Sequence, residues 1–365
     1  MPLRGVPEDR RRHQTGARPA EDRLMRPFDF AEGQSLAHAA SLARGTGQGQ
    51  TDAPTQFLAA GTNLIDLMKL DVLTPRRLVS LGALTDANER IELRGEELLL
   101  GGFARMAAAA RNPLVLAHCP AVAQSLALAA SAQLRNMATL GGNVLQKTRC
   151  TYYRDTSWTA CNKRSPGSGC AALAGFNRNH AVLGVDATCI AQYPGDFAVV
   201  LAALDAQVDV TGPRGARRMP FAALHTPASG RPHIETTLGE GEIITQFRVP
   251  VGAATRRSVY VKVRDRASYE FAIASAAVAL ELDGAVVRTV RIGLGGMAYT
   301  PWRSREAEQA LTGQPLTAAA MTAAATAALA GATTHGFNDY KPELARRTLV
   351  RALLEAQALP PRAAA

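Results

Sequence analysis

Four cysteines, Cys150, Cys161, Cys170 and Cys189, share one stretch of the chain that opens after Thr139-Leu140-Gly141-Gly142-Asn143 and closes before Pro194-Gly195-Asp196. Thiolates are soft donors, so the set points first to metal chemistry. The intervals of eleven, nine and nineteen positions contain no C-x-x-C pair, which removes the usual structural zinc signature and the thioredoxin motif. They need a folded loop to bring the sulfurs together, and four-cysteine ligation of an iron–sulfur cubane is one such arrangement. Zinc and buried free thiols acting as small apolar side chains stay open as alternatives. Disulfides rank lower, because a chain of this length builds a core without staples and reads as lacking a secretory leader. Pro166, Gly167, Gly169 and Gly175 permit irregular backbone whose amides can face sulfur. Lys147, Arg149, Arg154, Lys163, Arg164 and Arg178 bring positive charge that can offset an anionic cluster, although such charges also suit a solvated loop. Cys119 stands apart and reads as a structural thiol.

The elements around this stretch suggest a second binding function. Gln56-Phe57-Leu58-Ala59 reads as a strand, broken by Ala60-Gly61-Thr62-Asn63 and followed by a helical Leu64-Ile65-Asp66-Leu67-Met68-Lys69. Strand, glycine turn and helix make an anion cradle when successive amides face one point, but one glycine also makes a simple turn. Further on, Ala121 to Met137 reads as one alanine-rich helix with Leu126, Ala129, Ala130 and Leu134 on its buried stripe, running into Thr139-Leu140-Gly141-Gly142-Asn143. Two separated loops, each with Thr, Gly and Asn, suit the phosphates of a dinucleotide. A Rossmann site would instead concentrate its glycines in one G-x-G-x-x-G turn, and none stands in the right context.

A chain of 365 residues, 47% hydrophobic, has material for two or three domains, and no apolar run reaches bilayer length. The net charge of +10 invites a nucleic-acid partner, yet part of it lies in residues 1–24, where Arg10, Arg11 and Arg12 occur without apolar periodicity. That segment is expected to be a disordered basic extension, with Met25-Arg26-Pro27-Phe28 as the domain start. Ser35 to Arg44 reads as a helix and Gly45 to Pro54 as a loop. The C-terminal part reads as a separate α+β unit. Ser258 to Val263 and Val286 to Leu294 are its strands, Phe271 to Leu280 leads to an Asp283-Gly284 turn, and Ala318 to Ala330 and Pro342 to Ala356 are its helices. No Ser-His-Asp order, HExxH or paired carboxylates stand out, so no residue is assigned a catalytic role.

Taken together, these residues resemble the flavin-binding medium subunits of the molybdenum hydroxylases, the xanthine dehydrogenase family. The nearest branch is that of bacterial periplasmic aldehyde oxidoreductase, whose FAD subunit also holds a [4Fe-4S] cluster. The likeness rests on Ala59 to Lys69, Gln133 to Asn143, Lys147 to Cys189, Pro194 to Asp205 and Tyr260 to Ala272. It implies an α+β fold: a two-part FAD-binding domain of the vanillyl-alcohol-oxidase/PCMH type at 25–250, with the cluster insertion at about 144–192, then a smaller α+β flavoprotein domain at 255–360. By the same resemblance, Gln56, Phe57, Leu58, Ala59, Ala60, Gly61, Thr62, Asn63 and Leu64 lie against the FAD pyrophosphate, and Thr139, Gly142 and Asn143 form the opposite wall. Asp196 accepts from a ribityl or ribose hydroxyl, Lys262 stands near the flavin, and Cys150, Cys161, Cys170 and Cys189 hold the cluster. On their own, Thr139 and Asn143 also fit as turn residues, Asp196 as the cap of a helix Phe197 to Asp205, and Lys262 as a surface charge. Ala60 departs from the family, which has glycine there, and this matters only if the position needs positive φ or very close phosphate approach.

The resemblance also implies a partner small subunit with two [2Fe-2S] clusters and a large molybdopterin subunit on which aldehyde is oxidised. It implies assembly in the bacterial cytoplasm, with the periplasm open through co-export with a partner bearing a twin-arginine signal. Two other readings compete: a stand-alone flavin oxidase of the vanillyl-alcohol-oxidase type, and a basic nucleic-acid-binding protein, which the 5% aromatic content and lack of motif disfavour.

Overall fold

A computed structural model describes residues 25–43 and 53–360. The basic stretch at 1–24 and most of the Gly45 to Pro54 loop lie outside the described residues.

The first lobe is a three-stranded parallel sheet in which Arg77–Ser80 lies between Asp29–Glu32 and Thr55–Leu58. Parallel neighbours need crossovers. The helices Leu36–Leu42 and Leu64–Lys69 lie along these connections. The first starts at Ser35, whose hydroxyl accepts the His38 N–H at 3.1 Å, and ends with Ala43 as its cap. Its buried Ala39 packs with Val79 of the sheet and the neighbouring Leu81.

A second lobe is a five-stranded antiparallel sheet ordered Ile91–Arg94, Glu97–Gly101, Ile243–Pro250, Gln207–Gly212 and Gly215–Pro220. Within Gln207–Gly212 burial alternates strictly, with Val208 and Val210 turned into the core, the period expected of a half-buried strand. The helices Met106–Arg111, Pro120–Leu128 and Asp196–Ala203 share this core. Every residue of Asp196–Ala203 is buried, as the wholly apolar run from Phe197 to Ala203 requires, and Phe197 meets Phe247 edge-on at 5.5 Å.

The single helix expected from Ala121 to Met137 is instead two, Pro120–Leu128 and Ala132–Met137. Ala130 takes a φ of 47°, and Ser131 starts the second helix by accepting the Leu134 N–H at 3.2 Å. A serine cap inside an alanine run offers the backbone an alternative partner, and here that outweighs alanine's helix propensity.

The C-terminal unit is a four-stranded antiparallel sheet ordered Trp302–Arg303, Val286–Gly295, Ala274–Asp283 and Ser258–Val263. Gly284, at φ 58°, turns the central hairpin. The helices Arg305–Leu311, Ala318–Ala327 and Lys341–Ala358 pack on this sheet; the last buries Ala345, Leu349, Ala352, Leu353 and Ala356 in a stripe of helical spacing. Among the described residues no helix is long and apolar enough to cross a membrane.

Candidate cofactor sites

A cavity of about 960 Å³ opens between the first two lobes, at the upper end of the range for ligand pockets. Its walls include Gln56, Phe57, the turn from Ala59 to Leu64, and Thr139, Gly141 and Gly142. Leu58, Asn143, Asp196 and Lys262 do not belong to this lining.

The two loops meet the cavity in different ways. In the first, the amides of residues 60–64 take no acceptor among the described residues, as the start of a helix leaves its first donors free. Gly61 makes the turn at φ 72°, whereas Ala60 is not among the residues at positive φ, so the alanine is not strained there. Asn63 Oδ1 accepts the Lys147 N–H at 2.9 Å, linking this turn to the start of the cysteine segment, and its Nδ2 is a buried donor without a partner. In the second loop the amides are occupied. Leu140 donates to Ala104 O, Gly141 to Gly102 O, Gly142 to the Thr139 hydroxyl at 3.1 Å, and Asn143 to Thr139 O. Thr139 is thus the cap of Leu140–Val144, and this loop presents a wall rather than donors. Asn143 Oδ1 is buried without a partner.

A third wall, Ile234 and residues 236–244, did not stand out in the sequence. Its signal is Gly239-Glu240-Gly241, with Gly241 at φ 70° and its α-carbon pressed against Ala40 O, where a Cβ would stand at 2.7 Å. With a strand rather than a helix following, this pair of glycines reads as an ordinary turn.

A cavity of this size, with a run of unpaired amides and an orphaned amide donor on one wall, suits a large ligand carrying phosphate. Residues 26–252 match the family described as the FAD binding domain in molybdopterin dehydrogenase, and residues 258–356 match the CO dehydrogenase flavoprotein C-terminal domain. The chain belongs to this flavoprotein family. It is 40% identical over 336 residues to the aldehyde oxidoreductase FAD-binding subunit PaoB of Escherichia coli K12, covering 92% of this chain and 99% of that one. It is 28% identical to the carbon monoxide dehydrogenase medium chain of Afipia carboxidovorans, covering 91% and 97%. The solved carbon monoxide dehydrogenase of Hydrogenophaga pseudoflava superposes with a TM-score of 0.70 at 25% identity, covering 92% of this chain and 99% of that one. The flavoprotein is therefore an FAD-binding medium subunit of the molybdenum hydroxylase type, an oxidoreductase component. The family displaces both competing readings, the stand-alone oxidase and the nucleic-acid binder.

Asp196 and Lys262 are brought together by the fold. Lys262 Nζ stands 2.7 Å from Asp196 Oδ2 and also donates to Leu128 O, while the Tyr260 hydroxyl donates to Asp196 Oδ1 at 2.6 Å and lies 2.8 Å from Ser275 Oγ. Both charged side chains are almost wholly buried in the seam between the second lobe and the C-terminal sheet. Burial, followed by the Asp196 charge, holds the Tyr260 hydroxyl protonated well above the usual tyrosine range.

The four cysteines of the insertion line one closed pocket, with Tyr152, Tyr153 and Lys163 among their neighbours. Cys161 and Cys170 are held opposite each other by an isolated antiparallel bridge, and Cys189 lies in another with Asp186. The Arg164 guanidinium fastens the loop, donating to Tyr152 O at 2.7 Å, Tyr153 O at 2.8 Å and Trp158 O. All four thiols are free. A hydrogen bond from Cys189 draws Cys170 down to about 6 and raises Cys189, and burial pushes Cys150 up to about 12. His180 Nε2 lies 3.2 Å from Cys150 Sγ, a contact the sequence reading missed because a lone histidine carries no spacing signal.

The space between the sulfurs is about 10 Å³, at the threshold for one water. Among the described residues no three His, Cys, Asp or Glu side chains are grouped to hold a single metal ion. In a cubane each sulfur binds its own iron, so an all-thiol set need not converge on one point, and the donor chemistry fits an iron–sulfur group. Of the expected cations, Arg149 and Arg154 pair with Asp66, Arg178 with Asp265, and Lys147 and Lys163 with Glu235.

Proposed function

We propose that this flavoprotein carries FAD and a [4Fe-4S] cluster as the electron-transfer subunit of a molybdenum-containing aldehyde oxidoreductase. In this reading it works beside a small subunit with two [2Fe-2S] clusters and a large molybdopterin subunit on which aldehyde is oxidised. The observation that carries it is the 40% identity, across 92% of the chain, to an aldehyde oxidoreductase FAD-binding subunit. The lining of one pocket by all four cysteines supports the cluster.

When bound, FAD would supply the exchange between one-electron carriers and a two-electron acceptor, and the cluster a one-electron station. The protein's own part is holding and tuning. The free amides of residues 60–64, with Thr62 and Asn63, would bind the pyrophosphate. Thr139 and Gly142 would shape the facing wall, whereas Asn143 stands outside the cavity's lining. Asp196 and Lys262 already satisfy each other, so their part would be to fix the seam behind the site. Cys150, Cys161, Cys170 and Cys189 would hold the cluster.

Iron, acid-labile sulfide and flavin analysis of the purified complex tests the reading. It expects about eight irons per flavin, about four from this subunit and about four from the small subunit, and Cys161→Ser should lose about four of them while keeping most of the FAD. A wild-type complex with only about four irons per flavin, those of the small subunit alone, would remove the cluster from the proposal and leave the flavin assignment standing.

A further inference from the structure

Between the FAD cavity and the cysteine pocket lies a charged triad that neither site's residues explain. Lys147 lines the cavity, Lys163 lines the cysteine pocket, and Glu235 stands between them. Lys163 Nζ lies 2.8 Å from Glu235 Oε1, and Lys147 Nζ donates to Glu235 Oε2. Lys163 is pinned further by Pro232 O at 2.9 Å and the Tyr299 hydroxyl at 2.8 Å. The side chains of Lys147, Lys163 and Glu235 are only 12%, 4% and 16% exposed. Two cations on one carboxylate leave a net charge of +1 in a poorly solvated place, where Coulomb interactions reach further than at the surface.

We propose that Glu235 is a positioning residue that fixes Lys147 on the wall of the FAD cavity and Lys163 on the wall of the cysteine pocket, so that one carboxylate sets the electrostatic potential at both cofactors. The proposal rests on the reading that these two sites hold FAD and the cluster. Reduction adds negative charge at each site, and the triad's net positive charge favours it. Removing the carboxylate therefore raises both reduction potentials, and removing either ammonium lowers the potential of the cofactor beside it.

The test is spectroelectrochemical titration of the intact complex, with electron paramagnetic resonance for the cluster, comparing wild type with Glu235→Gln, Glu235→Asp, Lys147→Met and Lys163→Met. Glu235→Gln should shift both reduction equilibria upward by at least about fivefold to tenfold; tenfold is roughly 30 mV for a two-electron couple and roughly 59 mV for a one-electron couple. Glu235→Asp, which keeps the charge, should stay near wild type. The lysine variants should shift in the opposite direction, which a purely structural role would not produce. Glu235→Gln protein that keeps flavin and iron with both potentials unmoved, or with only one moved, overturns the proposal. If Glu235→Gln does not assemble, lysine variants with unchanged potentials overturn it instead. A wild-type complex with only the small subunit's roughly four irons per flavin would defeat the cluster reading, and this proposal with it, and is told apart from the other outcomes by the metal analysis alone.

Discussion

Gly61 occupies a position that refuses a side chain twice, since its φ of 72° belongs to the left-handed region and a Cβ there would stand 2.9 Å from Ile65 Cγ1. Gly61→Ala is expected to cost about 1–3 kcal/mol of stability and to lower the flavin-to-protein ratio, as read by thermal melting and the visible spectrum. Ala60→Gly should change FAD affinity little, because Ala60 is not held at positive φ; fluorescence titration of the apoprotein reads this. At this scale the first turn was legible as a strand, glycine and helix, but one glycine there also makes a simple turn, so its assignment to a cofactor came through the resemblance. The wall at Ile234 and residues 236–244 was not legible, since nothing in Gly239-Glu240-Gly241 separates a ligand-facing turn from any other. Lys262 and Asp196 were singled out only through the resemblance, since on their own they read as a surface charge and a helix cap, and their mutual pairing depends on a strand and a helix that lie 66 positions apart.

Elements were legible where a period was strong. The strands Ser258–Val263 and Val286–Gly295 were read from alternation and the helix Lys341–Ala358 from helical spacing, whereas the alanine run at Ala121 to Met137 has no period to betray its break. Ser131→Ala, which removes the cap of Ala132–Met137, should destabilise the protein by about 1 kcal/mol in denaturant titration. A second element-scale effect comes from the segment packed on the cavity's inner wall. His225 lies edge-on to Tyr193 at 4.9 Å and Phe221 at 5.7 Å; burial first, then the Lys147 and Lys163 charges, lower it from 6.5 to about 4 against the opposing pull of Glu235. Its folded pKa lies below its unfolded one, so between pH 6.5 and 4 the unfolded chain takes up a proton that the native state resists. The stabilisation is full above pH 6.5 and is lost as the pH falls towards 4, by roughly 2–3 kcal/mol. His225→Phe should flatten that part of the stability–pH curve.

At the scale of the whole molecule, Lys341 ties the cysteine segment to the C-terminal unit. It is 0% exposed, and its ammonium donates to His180 O at 3.0 Å, Gln192 Oε1 at 2.9 Å and Gly296 O at 2.5 Å. Lys341→Met would leave these acceptors without their donor and should cost about 2–3 kcal/mol. Amide exchange should accelerate around residues 178–192 while the five-stranded sheet stays protected. The two-domain α+β architecture was legible in the sequence through the resemblance, but this staple was not, because a lysine on an amphipathic helix reads as a solvent-facing charge until the fold buries it.

The seam closed by Asp196, Lys262, Tyr260, Ser275 and Leu128 has a consequence for how the polypeptide can be divided. Each side of the joint supplies a charge that only the other side quenches, so a nick near Gly252 should leave the halves clinging together. Encoded as two separate genes, they should reconstitute one another when co-expressed, and the C-terminal fragment produced alone should precipitate.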